Sequence, residues 1–144
     1  MHEPHVTDAQ RQAVYERARE RCEYCRSLDS VSTERFAVDH IIPKVKGGKT
    51  QVDNLALCCR GCNEYKSDKT KAVDPQGGKT VALFHPRRQR WVSHFAWSED
   101  LVHVIGLTPT GRATVEALRL NREGLVSLRR AMMAVAWHPP KEDR

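Results

Sequence analysis

Long apolar runs are missing from this sequence. None approaches the ~20 consecutive apolar residues that a membrane-spanning helix needs. The first residues also lack the apolar segment of a secretory signal peptide. Aromatic residues make up only 6% of the chain and hydrophobic residues 40%. These shortages argue against a helical membrane protein. For a chain of 144 residues they predict one cytoplasmic domain with a small core and an extension.

Acidic residues are fewer than basic ones. The chain has 24 lysines and arginines against 18 aspartates and glutamates, which gives a formal net charge of +6. A basic surface attracts polyanions, so the charge favours nucleic acid as a partner. The lack of a long apolar run predicts no membrane partner.

Cysteine is abundant by comparison and is arranged in pairs. Two of the five cysteines form Cys22-x-x-Cys25, and the sequence Cys59-x-x-Cys62 repeats that spacing. Without a secretory signal, such pairs indicate a metal site before they indicate disulfides. Four thiolates in tetrahedral geometry suit zinc, so we predict one structural zinc ion at these four cysteines.

Cys58 leaves the choice of ligand open, because Cys58-x-x-x-Cys62 also fits loose zinc spacing. We prefer Cys59, since Gly61 then lies within a two-residue knuckle that matches the first pair. Cys58 is expected to be dispensable for the metal.

The first half of the chain contains three clear elements. Thr7 and Gln10 form a capping-box pattern, which predicts a helix over residues 8–21 that ends beside Cys22. Residues 35–42 are typical of a strand that Pro43 ends, and residues 63–69 of a short polar helix.

The second half of the chain has a different order of predicted elements. Residues 74–78 have the composition of a linker, so we predict a core over 1–73 and an extension over 79–138 that packs on or beside it. A short strand over 81–84 and a hairpin of 90–98 with 101–107 should follow, with Trp91, Phe95 and Trp97 on one face. Two helices come next, one capped by Thr110 and ending near 120, and one ended by Pro139-Pro140. The apolar face of the second helix is predicted to contain Leu125, Leu128, Met132 and Val135.

Asp39 and His40 are adjacent within the apolar stretch "FAVDHIIP". Neighbouring side chains of a strand point to opposite faces, so the two cannot share one solvent face. Either one of them is buried and paired, or the strand ends there and both serve a site.

The wider pattern is specific although each piece is weak. "CEYC", "VDHIIPKVKGGKTQVDNLALC" and "CRGCNEYKSD" place this pair between the two knuckles, with Asn54 and Asn63 downstream. Over roughly residues 20–70 this resembles the HNH endonuclease family in its HNN form. The segment 80–135 is similar to the tail of small stand-alone bacterial members.

The resemblance implies an α+β protein. Its core would be a ββα-metal (His-Me finger) unit stapled by the four-cysteine zinc site, with an N-terminal helix and a C-terminal extension of a β-hairpin and two helices. It also implies a metal-dependent endonuclease that hydrolyses DNA phosphodiester bonds and leaves 5′-phosphate and 3′-hydroxyl ends.

The implied catalytic residues are Asp39, His40, Asn54 and Asn63. His40 would act as general base, because an imidazole with an ordinary pKa of about 6.5 titrates near neutral pH. Asp39 and Asn63 would hold a catalytic Mg²⁺ or Mn²⁺ through oxygen. By the family pattern, Asn54 would order the loop near His40.

Each residue also has a plainer explanation. Asp39 is acceptable as a turn or cap residue, His40 as a core histidine, and Asn54 as a turn residue before Leu55. Asn63 could serve only as the N-cap of its helix, since Asn is a preferred cap. Taken together between two knuckles, they favour the catalytic interpretation.

Lysines surround this region of the sequence. We expect them to neutralise DNA phosphates without reading sequence. They are Lys44, Lys46, Lys49, Lys66 and Lys69.

Two other functions fit the knuckles. One is a catalytically inactive zinc-knuckle module that binds nucleic acid, and the other is a structural zinc domain that serves a protein partner. The Asp39-His40 pair favours an enzyme over a binding module, and the basic charge weakly disfavours the protein partner.

Overall fold

The structure, a computed structural model, describes residues 5–144 of an α+β protein. The first four residues, on which the expectation of no signal peptide and the start of the 1–73 domain depend, lie outside the described part. Within that part, no helix is both long enough and apolar enough to cross a membrane.

Five helices and three two-stranded antiparallel sheets make up the regular structure of residues 5–144. The helices are α1 Asp8–Arg17, α2 Arg60–Lys66, α3 Trp91–His94, α4 Pro109–Ala117 and α5 Glu123–Met133. The strands are β1 Ala37–His40, β2 Leu55–Cys58, β3 Lys71–Val73, β4 Thr80–Ala82, β5 Phe95–Trp97 and β6 Val104–Gly106.

The predicted ββα unit is formed by β1, β2 and α2. β1 pairs with β2 so that Asp39 faces Ala56 and His40 faces Leu55. All four residues of β2 are buried, because the sheet packs on one side against α1 and α2 follows directly after it. The α+β fold predicted from the resemblance is therefore confirmed.

Helix α1 starts as predicted but ends earlier. The capping box is complete, with Thr7 Oγ1 accepting from Gln10 N at 3.1 Å and Gln10 Oε1 accepting from Thr7 N at 2.9 Å. The helix ends at Arg17 rather than at 21, because Arg19 and Glu20 take left-handed φ angles of 54° and 63°. Cys22 and Cys25 therefore lie on a turn after α1 and not at the end of the helix itself.

Helix α2 begins at Arg60, three positions before the predicted start at 63. Cys59 is its N-cap, and the sulfur accepts a hydrogen bond from Cys62 N at 3.4 Å. The interpretation of Asn63 as the cap is therefore wrong. The helix ends where Ser67 adopts a left-handed φ of 51°.

Residues 74–78 form a hairpin turn and not a linker. β3 and β4 pair on either side of it, with Val73 facing Thr80. Asp74 lies in the turn and binds Arg112 of α4 through two hydrogen bonds of 2.9 Å. This contact with Arg112 lowers the pKa of Asp74 to about 2. The division into domains over 1–73 and 79–138 stays a prediction.

The predicted strand over 90–98 is partly helical. Trp91 lies in α3, and only Phe95–Trp97 is a strand, paired with β6. The three aromatic residues nevertheless pack together, with ring centroids 5.1 Å apart for Trp91 and Phe95 and 5.2 Å for Trp91 and Trp97. The three aromatic side chains therefore lie together as predicted, but a helical turn followed by a short strand places them there instead of one continuous strand.

The two C-terminal helices differ from prediction at their ends. Thr108, rather than Thr110, caps α4, and its hydroxyl accepts from Gly111 N at 3.0 Å. α5 stops at Met133, so Val135 is 54% exposed and does not extend the apolar face. The buried face of α5 instead includes an arginine, Arg129, which is 1% exposed.

Candidate metal centre and active site

The four predicted metal ligands converge in the structure. The turn after α1 carries Cys22 and Cys25, and the start of α2 carries Cys59 and Cys62. All four are buried, and their sulfur atoms lie within 4.8 Å of one another. Cys58 lies in β2 and is buried outside this cluster, so the geometry agrees with Cys59 as the ligand.

The cluster fits a tetrahedral zinc ion. Zinc–sulfur bonds of about 2.3 Å place the sulfurs of a tetrahedral site ~3.8 Å apart, and the Cys25 and Cys59 sulfurs are 3.6 Å apart. The backbone N–H of Cys25 points at the Cys22 sulfur from 3.5 Å. Burial raises the pKa of the Cys22 thiol well above its ordinary value, so the thiolate needs a compensating positive charge, which zinc would supply.

An arginine from the extension lies against this cluster. Arg122 Nη2 is 3.4 Å from the Cys59 sulfur, and Arg122 Nη1 is 3.6 Å from the Cys62 sulfur. Burial acts to lower the pKa of Arg122, but the nearby Cys62 sulfur raises it overall. Sequence reasoning missed this residue, because nothing local in the sequence relates Arg122 to cysteines so far upstream.

Arg129 is a second buried arginine close to the knuckles. Its guanidinium donates to the carbonyl oxygens of Leu120 at 2.7 Å and Val102 at 2.9 Å. It also lies over the Trp97 ring, 5.1 Å from the centroid. These contacts stabilise a charged group inside the core, although Arg129 Nε has no hydrogen-bond partner among the described residues. A helical pattern of apolar residues could not have indicated this arginine.

Asp39 and His40 are separated by the pleat of β1. Asp39 is 7% exposed, whereas His40 is partly exposed. The first of the two possibilities raised by the sequence therefore applies to Asp39, which is buried and paired.

Two side chains hold one oxygen of Asp39 from within the protein. Tyr24 Oη donates to Asp39 Oδ2 at 3.1 Å, and Lys66 Nζ lies 3.1 Å from the same oxygen. Burial raises the pKa of Asp39, and the Lys66 ammonium opposes that shift. Asp39 Oδ1 accepts no hydrogen bond from residues 5–144, which leaves an oxygen for another ligand.

Lys66 does not occupy the position we expected for a phosphate contact. Its side chain is 2% exposed, and its ammonium also donates to Ile41 O at 3.1 Å. The predicted DNA contact is therefore corrected to an internal ion pair. The sequence does contain a signal for the burial of Lys66. Lys66 lies four residues after the buried Cys62 and therefore on the same helix face.

The His40 ring lies at the end of β1, against the loop that follows. Nε2 is 2.9 Å from Thr50 Oγ1. Thr50 lies on the loop that connects β1 to β2, and this hydroxyl limits how the imidazole can turn.

Asn54 fixes that loop through three hydrogen bonds. Its side-chain oxygen accepts from Ile42 N at 2.9 Å. Its amide nitrogen donates to Ile42 O at 3.0 Å and to Lys49 O at 2.9 Å. The residue is buried, and these contacts join the two ends of the loop beside His40.

Asn63 lies on α2 one turn before Lys66, so the two share a face of the helix. Because Lys66 contacts Asp39, that face is directed toward β1. Asn63 is partly exposed, and its side chain forms no hydrogen bond with the other residues that the structure describes. Its side-chain amide is therefore not engaged by those residues.

The other predicted DNA-contacting lysines lie at the surface. Lys46 and Lys49 are exposed on the loop between β1 and β2, and Lys44 is partly exposed. Lys69 is exposed after α2 and donates to Tyr65 O at 2.9 Å. The structure therefore places four of the five lysines where solvent reaches them.

Comparison with protein families gives one match: residues 22–69 fit the family model described as HNH endonuclease. Comparisons with curated proteins and with solved structures give no match. The matched segment starts at the first metal-ligand cysteine and ends just beyond α2, so it contains the cysteine cluster and the whole ββα unit. It also agrees with the range over which the sequence resembles that family. Residues 22–69 of this chain therefore match the HNH endonuclease family, as the sequence resemblance predicted.

Proposed function

We propose that this protein is a metal-dependent endonuclease that hydrolyses DNA phosphodiester bonds. The observation that carries the proposal is the arrangement at the end of β1. There Asp39 is buried and held from behind by Tyr24 and Lys66, while His40 presents a partly exposed imidazole. A protein that only binds nucleic acid has no need of such a pair.

In this proposal His40 is the general base. Its imidazole removes a proton from the water that attacks phosphorus, and the bond from phosphorus to the 3′ oxygen breaks. The contact with Thr50 holds the ring in one orientation. Asn54 keeps the neighbouring loop in place, so the imidazole is positioned before substrate arrives.

The oxygen ligands for a catalytic cation are Asp39 and Asn63. Their donor atoms are oxygens, which Mg²⁺ and Mn²⁺ prefer, and the Oδ1 atom of Asp39 is not engaged by other described residues. When bound, such a cation supplies the positive charge that stabilises the leaving 3′ oxygen. The ion pair with Lys66 fixes the carboxylate so that the same oxygen always faces the site.

The zinc ion at the four cysteines has a structural role in this account. The four buried cysteines would fill all four ligand positions of a tetrahedral zinc ion, which would leave no open position for substrate or water. DNA would be held by Lys44, Lys46, Lys49 and Lys69.

Plasmid cleavage with added magnesium tests the proposal. His40→Ala should retain zinc and DNA binding but lose about 10²–10⁴-fold in turnover, which is the usual contribution of a general base. His103→Ala is the matched control, because His103 has a 45% exposed side chain on the β5–β6 hairpin and should cut as fast as wild type. Asn63→Ala should also lose activity, with partial recovery at high magnesium or manganese.

Equal cleavage by His40→Ala and wild type would refute the role of His40. Wild type that binds DNA but cuts nothing with any divalent cation would instead favour the catalytically inactive binding module.

A further inference from the structure

We propose that Arg122 is a positioning residue of the metal centre. Its guanidinium holds the sulfurs of Cys59 and Cys62 and links the C-terminal extension to the zinc site. The residue lies outside the segment that matches the HNH family. This inference depends on the zinc binding proposed above but not on nuclease activity.

The guanidinium reaches both cysteines of the second knuckle. Nη2 lies 3.4 Å from the Cys59 sulfur and 3.7 Å from the Cys62 sulfur, and Nη1 lies 3.6 Å from the Cys62 sulfur. Four thiolates around one zinc ion carry a net charge of about −2, and they are buried here. A fixed positive charge that donates to two of them offsets part of that charge and holds the two sulfurs in place.

Contacts on the extension side hold the guanidinium in this position. Nη1 also donates to the carbonyl oxygens of Leu118 and Arg119, each at 3.2 Å, at the end of α4. Arg122 is itself the N-cap residue of α5. A single side chain therefore joins the end of α4, the start of α5 and the zinc knuckle.

Gly61 makes the space for this contact. A Cβ atom on Gly61 would lie 2.5 Å from Arg122 Nη2 and 2.9 Å from its Cζ. Gly61 is within α2, where alanine has the higher helix propensity. The glycine of the sequence "CRGC" thus serves the approach of the arginine rather than the helix.

Tyr65 supports the same arrangement and identifies a control. Arg122 and Arg119 both lie over the Tyr65 ring, 5.6 Å and 5.1 Å from the centroid. The guanidinium of Arg119 donates to none of the cysteine sulfurs in residues 5–144. Replacing Arg119 therefore removes a similar charge from the same surface without touching the metal centre.

Zinc release from the zinc-loaded protein tests the proposal. The rate is measured with excess chromogenic chelator for wild type, Arg122→Met, Arg122→Lys, Gly61→Ala and Arg119→Met. Arg122→Met should release zinc about 10–100-fold faster, since partners of metal ligands typically contribute that much to metal retention. Arg122→Lys, which keeps the charge, should restore part of the loss. Gly61→Ala should also release zinc faster, and Arg119→Met should match wild type.

Release from Arg122→Met at the wild-type rate, or equal acceleration by Arg119→Met, would overturn the proposal. If Arg122→Met does not accumulate in folded form, the test uses Arg122→Lys and Gly61→Ala instead. Zinc release from both variants at the wild-type rate would then overturn the proposal. Purified wild type without zinc would refute the zinc site itself, which is a distinguishable result.

Discussion

The cysteine cluster and the end of β1 both contact helix α2, yet they differ in exposure and in how their polar groups are satisfied. At the cluster all four ligands are buried and directed at one another. At the strand end Asp39 and Asn54 are buried, while His40 and Asn63 remain partly exposed. The first arrangement suits an ion that stabilises the fold, and the second leaves room for water and a phosphate.

Helix α2 serves both regions with one face. Cys62 points into the cluster, and Lys66, one turn later, pairs with Asp39. A metal ion held at one end of the helix would therefore help to set the position of the Asp39 carboxylate at the other end. Helix α2 therefore connects the two sites, but the cysteines and the Asp39 region would serve different chemical roles.

The largest effect should follow from loss of a cluster cysteine. Cys25→Ser should leave the domain unfolded or severely destabilised, because binding of structural zinc contributes directly to folding free energy, with about 10–16 kcal/mol seen for zinc-finger peptides. Zinc content and thermal unfolding of the purified variant measure this.

Cys58→Ser is the matched control for that variant. It changes an equally buried cysteine that lies in β2 outside the cluster, so it should keep one zinc ion. Its cost should be that of a buried hydroxyl, about 1–3 kcal/mol. A well-folded Cys25→Ser protein, or loss of zinc from Cys58→Ser alone, would contradict the ligand assignment.

A smaller but still large effect is expected at the ion pair. Lys66→Met should destabilise the zinc-saturated protein by about 3–5 kcal/mol, because it leaves the buried Asp39 carboxylate without its partner. Denaturant unfolding measures the loss. Adding Asp39→Asn to Lys66→Met should recover part of it, since the second change removes the uncompensated charge.

Lys69→Met provides the comparison for Lys66. Lys69 is exposed, so its replacement should change stability by no more than about 0.5 kcal/mol. If neither replacement changes stability, the internal role of Lys66 is wrong, and the original prediction of a DNA contact at the surface is favoured.

The sequence predicted the parts of both sites that depend on local spacing. The CxxC pairs come together as their spacing indicates, and the range of the family match was predicted as well. The catalytic role of the Asp39-His40 pair stays a prediction. The assignment of Lys66 failed because its charge was weighed more than its position one turn after Cys62.

Other features depended on contacts between distant segments. Arg122 and Arg129 belong to the extension and reach the knuckles only after folding. Residues 74–78 have the composition of either a linker or a turn. The choice depended on pairing between β3 and β4, which are only three residues each and too short to show alternation.

The smallest predicted effect concerns the surface lysines. Lys49→Ala should reduce the slope of log affinity for duplex DNA against log salt by about 0.9, the value for one phosphate contact, and should do so for any sequence. Salt-dependent DNA binding measures the slope. Lys79→Ala, an exposed lysine on the β3–β4 hairpin, is the control and should leave the slope unchanged. A loss confined to one DNA sequence would argue against a phosphate contact.

The separation of the two metal functions can be measured in one experiment. Zinc-loaded protein, freed of other divalent ions, is titrated with magnesium while plasmid cleavage and zinc content are followed together. The account predicts no cleavage before magnesium is added, saturable cleavage afterwards, and one zinc ion per chain throughout. Full cleavage by the zinc-loaded protein without a second cation would contradict it, because the closed cysteine site would then be supporting the chemistry.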